Sequence, residues 1–477
     1  MNAYFTKGTI VLVSSIAIAI ALFFWNPLQL PLPANKVIAI AALMVILWIS
    51  EALPMPVVAL LPLLLFPLFN ISSIESTAPS YANPVIFLFM GGFMLGLAIE
   101  KCNLHRRIAL NIVRLTGTSG DSIILGFILS TGLISMWLSN TATSMMMFPI
   151  ALSVIAVIKD NHPEQKGATN FSLAVMLSTA LASNFGGIAT LIGTPPNVAY
   201  AAFISKKYEY TIDFLDWMMI GTPLSIILLF SLYLVLVKWL YPNGMKKDEV
   251  TRALIQNEIS ALGKFSIAEK RVLGIFLTTA FLWITRDLIN RIGIVKLDDN
   301  MIALFGAILL FVFGTGAGKK LLEWKDTKNM AWGILLLFGG GIALASALEK
   351  AGLIQQLGSW FAQFAFNELT LIFLVTFISL FVSELMSNVA QVIVFAPVVS
   401  SLAEAAGMHP LMLGIPMTLA ASCASMLPMG TPPNAIAFSS GYIRLKDMTK
   451  VGLIMNLVCI FFITLFCWLL LPLIFKT

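Results

Sequence analysis

"MWLSNTATSMMMFP", residues Met136 to Pro149, sets three consecutive hydrogen-bonding side chains, Ser139, Asn140 and Thr141, inside a long apolar stretch. A second copy, "MSNVAQVIVFAP" (Met386 to Pro397), again has Ser-Asn, an apolar run, and a proline ten positions after the serine. The surroundings decide how to read them. Of 477 residues, 59% are hydrophobic and 11% charged, where soluble domains carry roughly 25% charged residues. Mean hydropathy is +0.93. Many apolar runs approach the about 20 residues that a helix needs to cross a hydrocarbon core. They are apolar on all sides rather than alternating, so the chain reads as an all-α polytopic membrane protein and not a β-barrel.

Charge placement gives a topology. The first run, Gly8 to Trp25, follows a single Lys7 and lacks a small-x-small cleavage site, so it reads as a retained span. Basic residues crowd into alternate loops: Arg106, Arg107 and Arg114; Lys159 and Lys166; Lys246, Lys247, Arg252, Lys270 and Arg271; Lys319, Lys320, Lys325 and Lys328; Arg444, Lys446 and Lys450. Asn70 to Asn83 has none. The positive-inside rule makes the crowded loops cytoplasmic, with the N-terminus inside and the C-terminus outside a cell membrane. The net charge of +6 is then a topology signal, not a nucleic-acid signal.

Other chemistries find no support. Cys102, Cys423, Cys459 and Cys467 lie in or beside apolar segments without paired spacing and read as small buried hydrophobes. His105, His162 and His409 fall in predicted loops, and no His/Cys/carboxylate cluster has metal-ligand spacing. No Walker loop or dinucleotide fingerprint appears, so no organic cofactor is expected. Met145, Met146 and Met147 read as adaptable core packing.

An internal repeat organises the chain. "FMGGFMLGLAIEKCNL" (Phe89 to Leu104) parallels "FGGGIALASALEKAGL" (Phe338 to Leu353); the Ser-Asn motifs follow; then "LIGTPPNVA" (Leu191 to Ala199) parallels "PMGTPPNAI" (Pro428 to Ile436). Three matched motifs in one order indicate two homologous halves. The first Ser-Asn segment lies between basic loops, whereas the second lies between loops of low positive charge, Lys350 to Glu368 and Glu404 to Pro410. The halves are therefore inverted. Inverted repeats with interrupted helices point to a secondary transporter with a midplane site.

This answers why polar tripeptides sit at depth. The arms Ser122–Leu138 and Ala142–Ile158 cannot both cross if both ends are cytoplasmic, so a re-entrant hairpin with Ser-Asn-Thr at its tip is expected. At such a tip one arm ends in free carbonyls, suited to a hard cation, and the next begins with free N–H groups, suited to an anion. Ser139 or Asn140 is a strong N-cap type for the second arm. Gly-Thr-Pro-Pro-Asn makes a second kind of break, since two prolines remove two donors. Thr194 and Thr431 are then expected to cap the restarting helices, with proline in first position.

These motifs, with "WISEALPMP" (Trp48 to Pro56), resemble the divalent anion/sodium symporters, transporters of di- and tricarboxylates, over essentially the whole chain. The resemblance is closest to the bacterial dicarboxylate members. It implies a homodimer in the lipid bilayer, in which a scaffold domain grips the partner and a transport domain slides as an elevator. The expected architecture is two inverted repeats, about 11 transmembrane helices and two re-entrant hairpins. The expected division is 1–119, scaffold helices of the first repeat, and 120–241, its transport part (hairpin 120–160, broken helix 170–205). The second repeat divides into scaffold helices 242–365 and transport part 366–477 (hairpin 369–404, broken helix 410–441).

Carried over motif by motif, the resemblance assigns the substrate carboxylates to Ser139, Asn140, Thr141, Ser387, Asn388, Val389, Thr431 and Pro432. It assigns one sodium ion to Ser135, Ser139, Asn140 and Gly193, and a second to Ser383, Asn388 and Gly430. Ser135 and Ser383 each precede the motif serine by four residues, one helical turn, and can face the same ion. An oxygen-rich, thiolate-free shell suits a hard cation. Val389 departs from the family pattern, since the first repeat has Thr141 there; one hydroxyl is missing.

Acidic residues divide. Glu384 has Met136 at the matching position, and two roles stand open for it: supporting the tip, or contributing to the sodium field. Glu51, Glu100 and Glu349 fall at predicted helix ends and read as interfacial or structural. Neither hairpin core holds an arginine or lysine. A dianion would meet helix ends, amides and bound sodium, which is a physical reason for coupling. The expected function is sodium-coupled symport of C4-dicarboxylates such as succinate, malate or fumarate; the alternatives are exchange, or symport of sulfate or another oxyanion. An intramembrane protease would need an Asp pair or a Ser with an embedded His, and a channel would need a continuous polar lining. Neither is visible.

Overall fold

The computed structural model describes residues 7–26, 29–161, 166–246, 249–293, 295–316, 318–353, 356 and 367–475. His162 and most of the Lys350–Glu368 loop lie outside the described residues. The first half of the chain runs α1 (Lys7–Trp25), α2 (Leu32–Ser50), α3 (Met55–Val58), α4 (Leu61–Leu68), α5 (Ile74–Thr77), α6 (Pro84–Lys101), α7 (Leu104–Thr116), α8 (Gly120–Ser135), α9 (Asn140–Asn161), α10 (Lys166–Gly187), α11 (Pro195–Tyr208) and α12 (Phe214–Tyr233). The second runs α13 (Glu249–Ala261), α14 (Ile267–Ile292), α15 (Asp299–Val312), α16 (Trp332–Lys350), α17 (Glu368–Ser383), α18 (Asn388–Ala405), α19 (Leu411–Ala421), α20 (Pro432–Ser439) and α21 (Leu445–Phe475).

Nine helical stretches among the described residues are long and apolar enough to cross a membrane, α9 and α18 among them. That is fewer than the expected number, because several apolar helices are short: α8, α15, α17 and α19 have 10–17 residues. The chain is a multi-pass, all-helical membrane protein. α8 and α17 have 16 residues each, a rise of about 24 Å that falls short of the roughly 30 Å hydrocarbon core. Both start at a side-chain cap: Ser119 Oγ accepts from Ser122 N at 3.3 Å, and Asn367 Oδ1 from Thr370 N at 2.8 Å. Both stop five residues before a motif asparagine that begins the next helix. The long α14 opens with a capping box between Ser266 and Glu269.

The two halves interlock. α6 packs on α15 through Gly91, where a Cβ would come within 2.7 Å of the Ala303 backbone. At the matched place in the second half, a Cβ on Gly340 of α16 would lie 2.4 Å from the Ala59 carbonyl oxygen. The paired glycines of the repeat thus let each half approach the backbone of the other. The same crossing recurs nearer the motifs: α9 of the first half packs against α20 of the second, and α18 of the second packs against α11 of the first. Arginines tie α7 to the second half, Arg106 to Glu258 and Arg107 Nε to Glu269 Oε1 at 2.6 Å.

His105 departs from its expected loop position. It sits in the first turn of α7, buried, with Nδ1 2.9 Å from the Ile99 carbonyl, because the α6–α7 connection is only two residues long. Met147 is buried as expected, but Met145 faces outward.

The glycine contacts give a stability test. Gly91→Val and Gly340→Val should each destabilise by about 1–3 kcal/mol or more through overpacking. Gly274→Ala, in α14 with open space around it, should be neutral or stabilising by up to about 1 kcal/mol through helix propensity. Thermal unfolding of the purified variants reads both effects.

Candidate functional site

Each hairpin turns on the same pair of side chains. At the first tip Ser135 Oγ donates to Asn140 Oδ1 at 2.8 Å; at the second Ser383 Oγ lies 2.7 Å from Asn388 Oδ1. Two oxygens held this close can face one hard cation. Among the described residues neither asparagine Nδ2 has a protein partner, which leaves donors at both tips for an anion. Ser139 caps α9, its Oγ accepting from Ala142 N at 3.3 Å. Ser387 holds the N-cap position of α18 without a side-chain cap bond. Thr141, Ser387, Asn388 and Val389 are half-buried, and Pro432 is exposed.

The broken helices meet these tips by close backbone contact. After α10 the chain leaves helical geometry until Thr194 and resumes at Pro195; after α19 it does so until Thr431 and resumes at Pro432. A Cβ at Gly187 would lie 2.2 Å from Asn140 Oδ1, and one at Gly193 would lie 2.9 Å from the Met136 carbonyl oxygen. Only glycine fits either place. Thr190 Oγ1 donates to the same Met136 carbonyl at 2.5 Å and ties tip to break. Ser135, Asn140 and Gly193 are therefore brought together at one point.

In the second half the tie runs through Glu384, which is buried. Its Oε1 accepts from Ser425 N (2.7 Å), Met426 N (2.9 Å) and Asn456 Nδ2 (2.8 Å), and its Oε2 from Leu427 N (3.0 Å). A Cβ at Gly430 would lie 3.2 Å from Oε2. The support role is thus realised: Glu384 gathers three successive N–H groups that the break releases. Ser383 Oγ adds a bond to the Ala421 carbonyl at 2.6 Å.

The asparagine of each Thr-Pro-Pro-Asn motif collects freed carbonyls. Asn197 Nδ2 donates to Thr190 O (2.9 Å) and Gly187 O (3.4 Å); Asn434 Nδ2 donates to Leu427 O (3.2 Å) and Ala424 O (3.3 Å). The acceptors stand seven and ten residues back in both cases. Thr431 caps as expected, Oγ1 accepting from Asn434 N at 3.3 Å. Thr194 does not cap: Asn197 N bonds the Thr194 carbonyl instead, at 3.2 Å.

One residue joins the two breaks. Asn184 Nδ2, in the last turn of α10, donates to Thr431 Oγ1 and Asn434 Oδ1, each at 3.2 Å. Since Asn434 Nδ2 is committed to carbonyls, its Oδ1 is fixed toward Asn184. With α20 against α9, this sets Thr431 beside the first hairpin. Sequence reasoning missed Asn184, Thr190, Glu384's donors and Asn456. The signal for Asn184 was a third Ser-Asn pair, Ser183-Asn184, in an apolar run; for Asn456 it was a lone amide in the 31-residue α21.

A cleft of about 120 Å³ opens at the first tip, lined by Ser139, Trp137, Ile192, Gly96, Glu100 and Asn329. Glu100, expected at a helix end, is in the last turn of α6 and also faces this cleft. Among the described residues no His, Cys, Asp or Glu cluster could hold a metal ion, so any cation here would be met by hydroxyl, amide and backbone oxygens.

The sodium-dependent dicarboxylate transporter SdcS of Staphylococcus saprophyticus is 36% identical, over 99% of this chain and 93% of its own. SdcS of Staphylococcus aureus strain USA300 is 37% identical, over 95% and 89%. Two solved transporters share the fold at low identity. They are YdaH of Alcanivorax borkumensis (TM-score 0.57, 13% identical, 93% of this chain and 99% of that one) and MtrF of Neisseria gonorrhoeae (0.55, 12%, 95% and 97%). The family described as the sodium:sulfate symporter transmembrane region matches residues 6–474. The chain belongs to this family, the divalent anion/sodium symporters, whose members are transporters and not enzymes.

Proposed function

We propose that this protein couples sodium entry to uptake of C4-dicarboxylates such as succinate, malate or fumarate across the cell membrane. The observation that carries the reading is the duplicated Ser···Asn pair, 2.8 and 2.7 Å apart, each beside a helix break. The names of the SdcS relatives support the substrate and the ion. One sodium ion is met by Ser135, Ser139, Asn140 and Gly193, the other by Ser383, Asn388 and Gly430. The carboxylates face Ser139, Asn140 and Thr141 on one side and Ser387, Asn388, Val389, Thr431 and Pro432 on the other. The helix N-termini at Asn140 and Asn388 add partial positive charge.

The two halves act as inverted repeats, with residues 120–241 and 366–477 sliding as an elevator on residues 1–119 and 242–365 of a homodimer. The cleft at Ser139 borders Asn329, next to the basic Lys319–Lys328 segment. By the positive-inside rule that side is cytoplasmic, so this conformation reads as inward-facing.

Three outcomes test the reading. Asn140→Ala and Asn388→Ala should each abolish sodium-driven succinate uptake into vesicles while leaving folded protein, since each amide serves a cation and a carboxylate; near-normal transport by either would sink the paired-tip account. Uptake should carry net positive charge inward, because a dianion needs at least two sodium ions for neutrality and an uphill cycle benefits from a third. An imposed inside-negative potential should therefore accelerate it; indifference to potential would argue for exchange. Val389→Thr restores the missing hydroxyl, and a hydrogen bond to a charged group contributes about 1.5–3 kcal/mol, roughly tenfold or more in affinity. It should tighten dicarboxylates or admit a tricarboxylate, and Thr141→Val should weaken both. Competition with succinate, citrate and sulfate reads the change, and an unaltered profile in both variants would make this position structural.

A further inference from the structure

We propose that the cleft between α11 and α16 is a second anion site, distinct from the tips. It takes a small dianion, such as a dicarboxylate or sulfate, and through it joins the transport part to the scaffold. The joining role rests on reading 120–241 as transport part and 242–365 as scaffold; the site itself does not.

The cleft has a volume of about 230 Å³ and is lined from α2, α4, α5, α11 and α16. Five of its polar side chains have no hydrogen-bond or ion-pair partner among the described residues. They are Asn70 after α4, Ser80 just after α5, Ser346 and Lys350 one turn apart on α16, and Lys206 in the last turn of α11. Ser80 is only 4% exposed; buried hydroxyls are ordinarily hydrogen-bonded, and this one faces the cleft unmet. All five groups can donate, and no aspartate or glutamate lines the cleft. Glu75, close by in sequence, is engaged instead with Ser73 and its own backbone N–H. Two ammonium groups and three neutral donors, with no carboxylate among them, are met best by an anion carrying two charges.

The repeat sharpens the contrast. Glu100-Lys101 of the first half matches Glu349-Lys350 of the second. In the first half the glutamate faces the cleft at Ser139, and Lys101 is neutralised by Asp326 at 2.6 Å. In the second half the lysine faces the cleft, and Glu349 does not line it. The same dipeptide makes one mouth acidic and the other basic. Likewise Lys207 reaches Glu404 at 3.4 Å, while its neighbour Lys206 has no acid. By the positive-inside rule α11 and α16 end outside, the side from which a dicarboxylate arrives. A dianion on Lys206 and Lys350 touches both parts, so it binds best while they lie as here. A ligand favours the conformation it binds. Concentrated external dianion therefore holds the carrier in this conformation and slows its return.

Calorimetric titration of the purified full-length protein with succinate, and in parallel with sulfate, tests the site in sodium-free choline buffer at low ionic strength. The parent chain should bind both anions. Lys206→Met and Lys350→Met should each weaken binding by about tenfold. Lys207→Met, which removes the lysine paired with Glu404, should bind as the parent does, and so should Asn140→Ala and Asn388→Ala. No binding by the parent, or equal binding by parent and both lysine variants, overturns the site. Binding lost in Asn140→Ala or Asn388→Ala also overturns it, since the anion then sits at the tips. The assay needs neither sodium nor transport, so a failed sodium-dicarboxylate reading leaves its outcome unchanged.

Uptake at saturating sodium and rising external succinate tests the joining role. Parent uptake should pass through a maximum and fall at high succinate, and Lys206→Met and Lys350→Met should each remove the fall without lowering the maximum. Anion binding that depends on both lysines, with no fall in parent uptake, supports the site and overturns the joining role. Binding that depends on Lys350 but not on Lys206 overturns the joining role as well, because the anion then touches the scaffold alone.

Discussion

A backbone carbonyl that loses its helical donor inside an apolar layer must find another donor or face a ligand. This chain interrupts two helical hairpins and two further helices in apolar surroundings, and the rest of the site follows from how the freed groups are met. Asn197 and Asn434 take the carbonyls seven and ten residues before them. Glu384 takes the N–H groups of Ser425, Met426 and Leu427. Glycine at positions 187 and 193 lets the first tip and its break touch. Among the described residues the Nδ2 groups of Asn140 and Asn388 are left without a protein partner, and with the hydrogen-bonded Ser–Asn oxygens beside them they form a set of donors and acceptors suited to a carboxylate and a hard cation.

The halves are matched in plan and differ in detail. The glycine pairs and the crossed packing of α9 on α20 and α18 on α11 make each half incomplete without the other. Asn184 reinforces this from one side only, since its hydrogen bonds reach both Thr431 and Asn434. The differences concentrate near the second tip: a valine where the first tip has a threonine, and a glutamate where it has a methionine. On the proposed reading the valine changes which acids fit, while the glutamate holds the second break to its tip.

Much of this was legible in the sequence because it depends on spacing and residue type. Proline at the start of α11 and α20, serine four residues before Ser139 and Ser387, and repeated motifs at near-constant offset all act locally, so the breaks and both Ser···Asn pairs could be named from residue order. Threonine at position 194 illustrates where local reasoning fails. It has the right residue type and dihedrals for a cap, yet the N–H it would take bonds its own carbonyl. The partners of Glu384 lie 41 to 72 residues away, and Asn184 reaches 247 and 250 residues along the chain. No local pattern encodes contacts at that separation; they arise when hairpin and broken helix pack. His105 is the same lesson in small, a polar side chain turned inward by a two-residue helix connection.

The central claim is that sodium and carboxylate share the two tip-and-break junctions. An experimental structure determined with sodium and succinate bound tests it most directly. The account predicts one cation among Ser135, Asn140 and Gly193, a second among Ser383, Asn388 and Gly430, and the dianion between the tips with Thr431 beside it. Succinate bound only elsewhere, such as in the cleft lined by Lys206 and Lys350, with the tips free of cations, would contradict it.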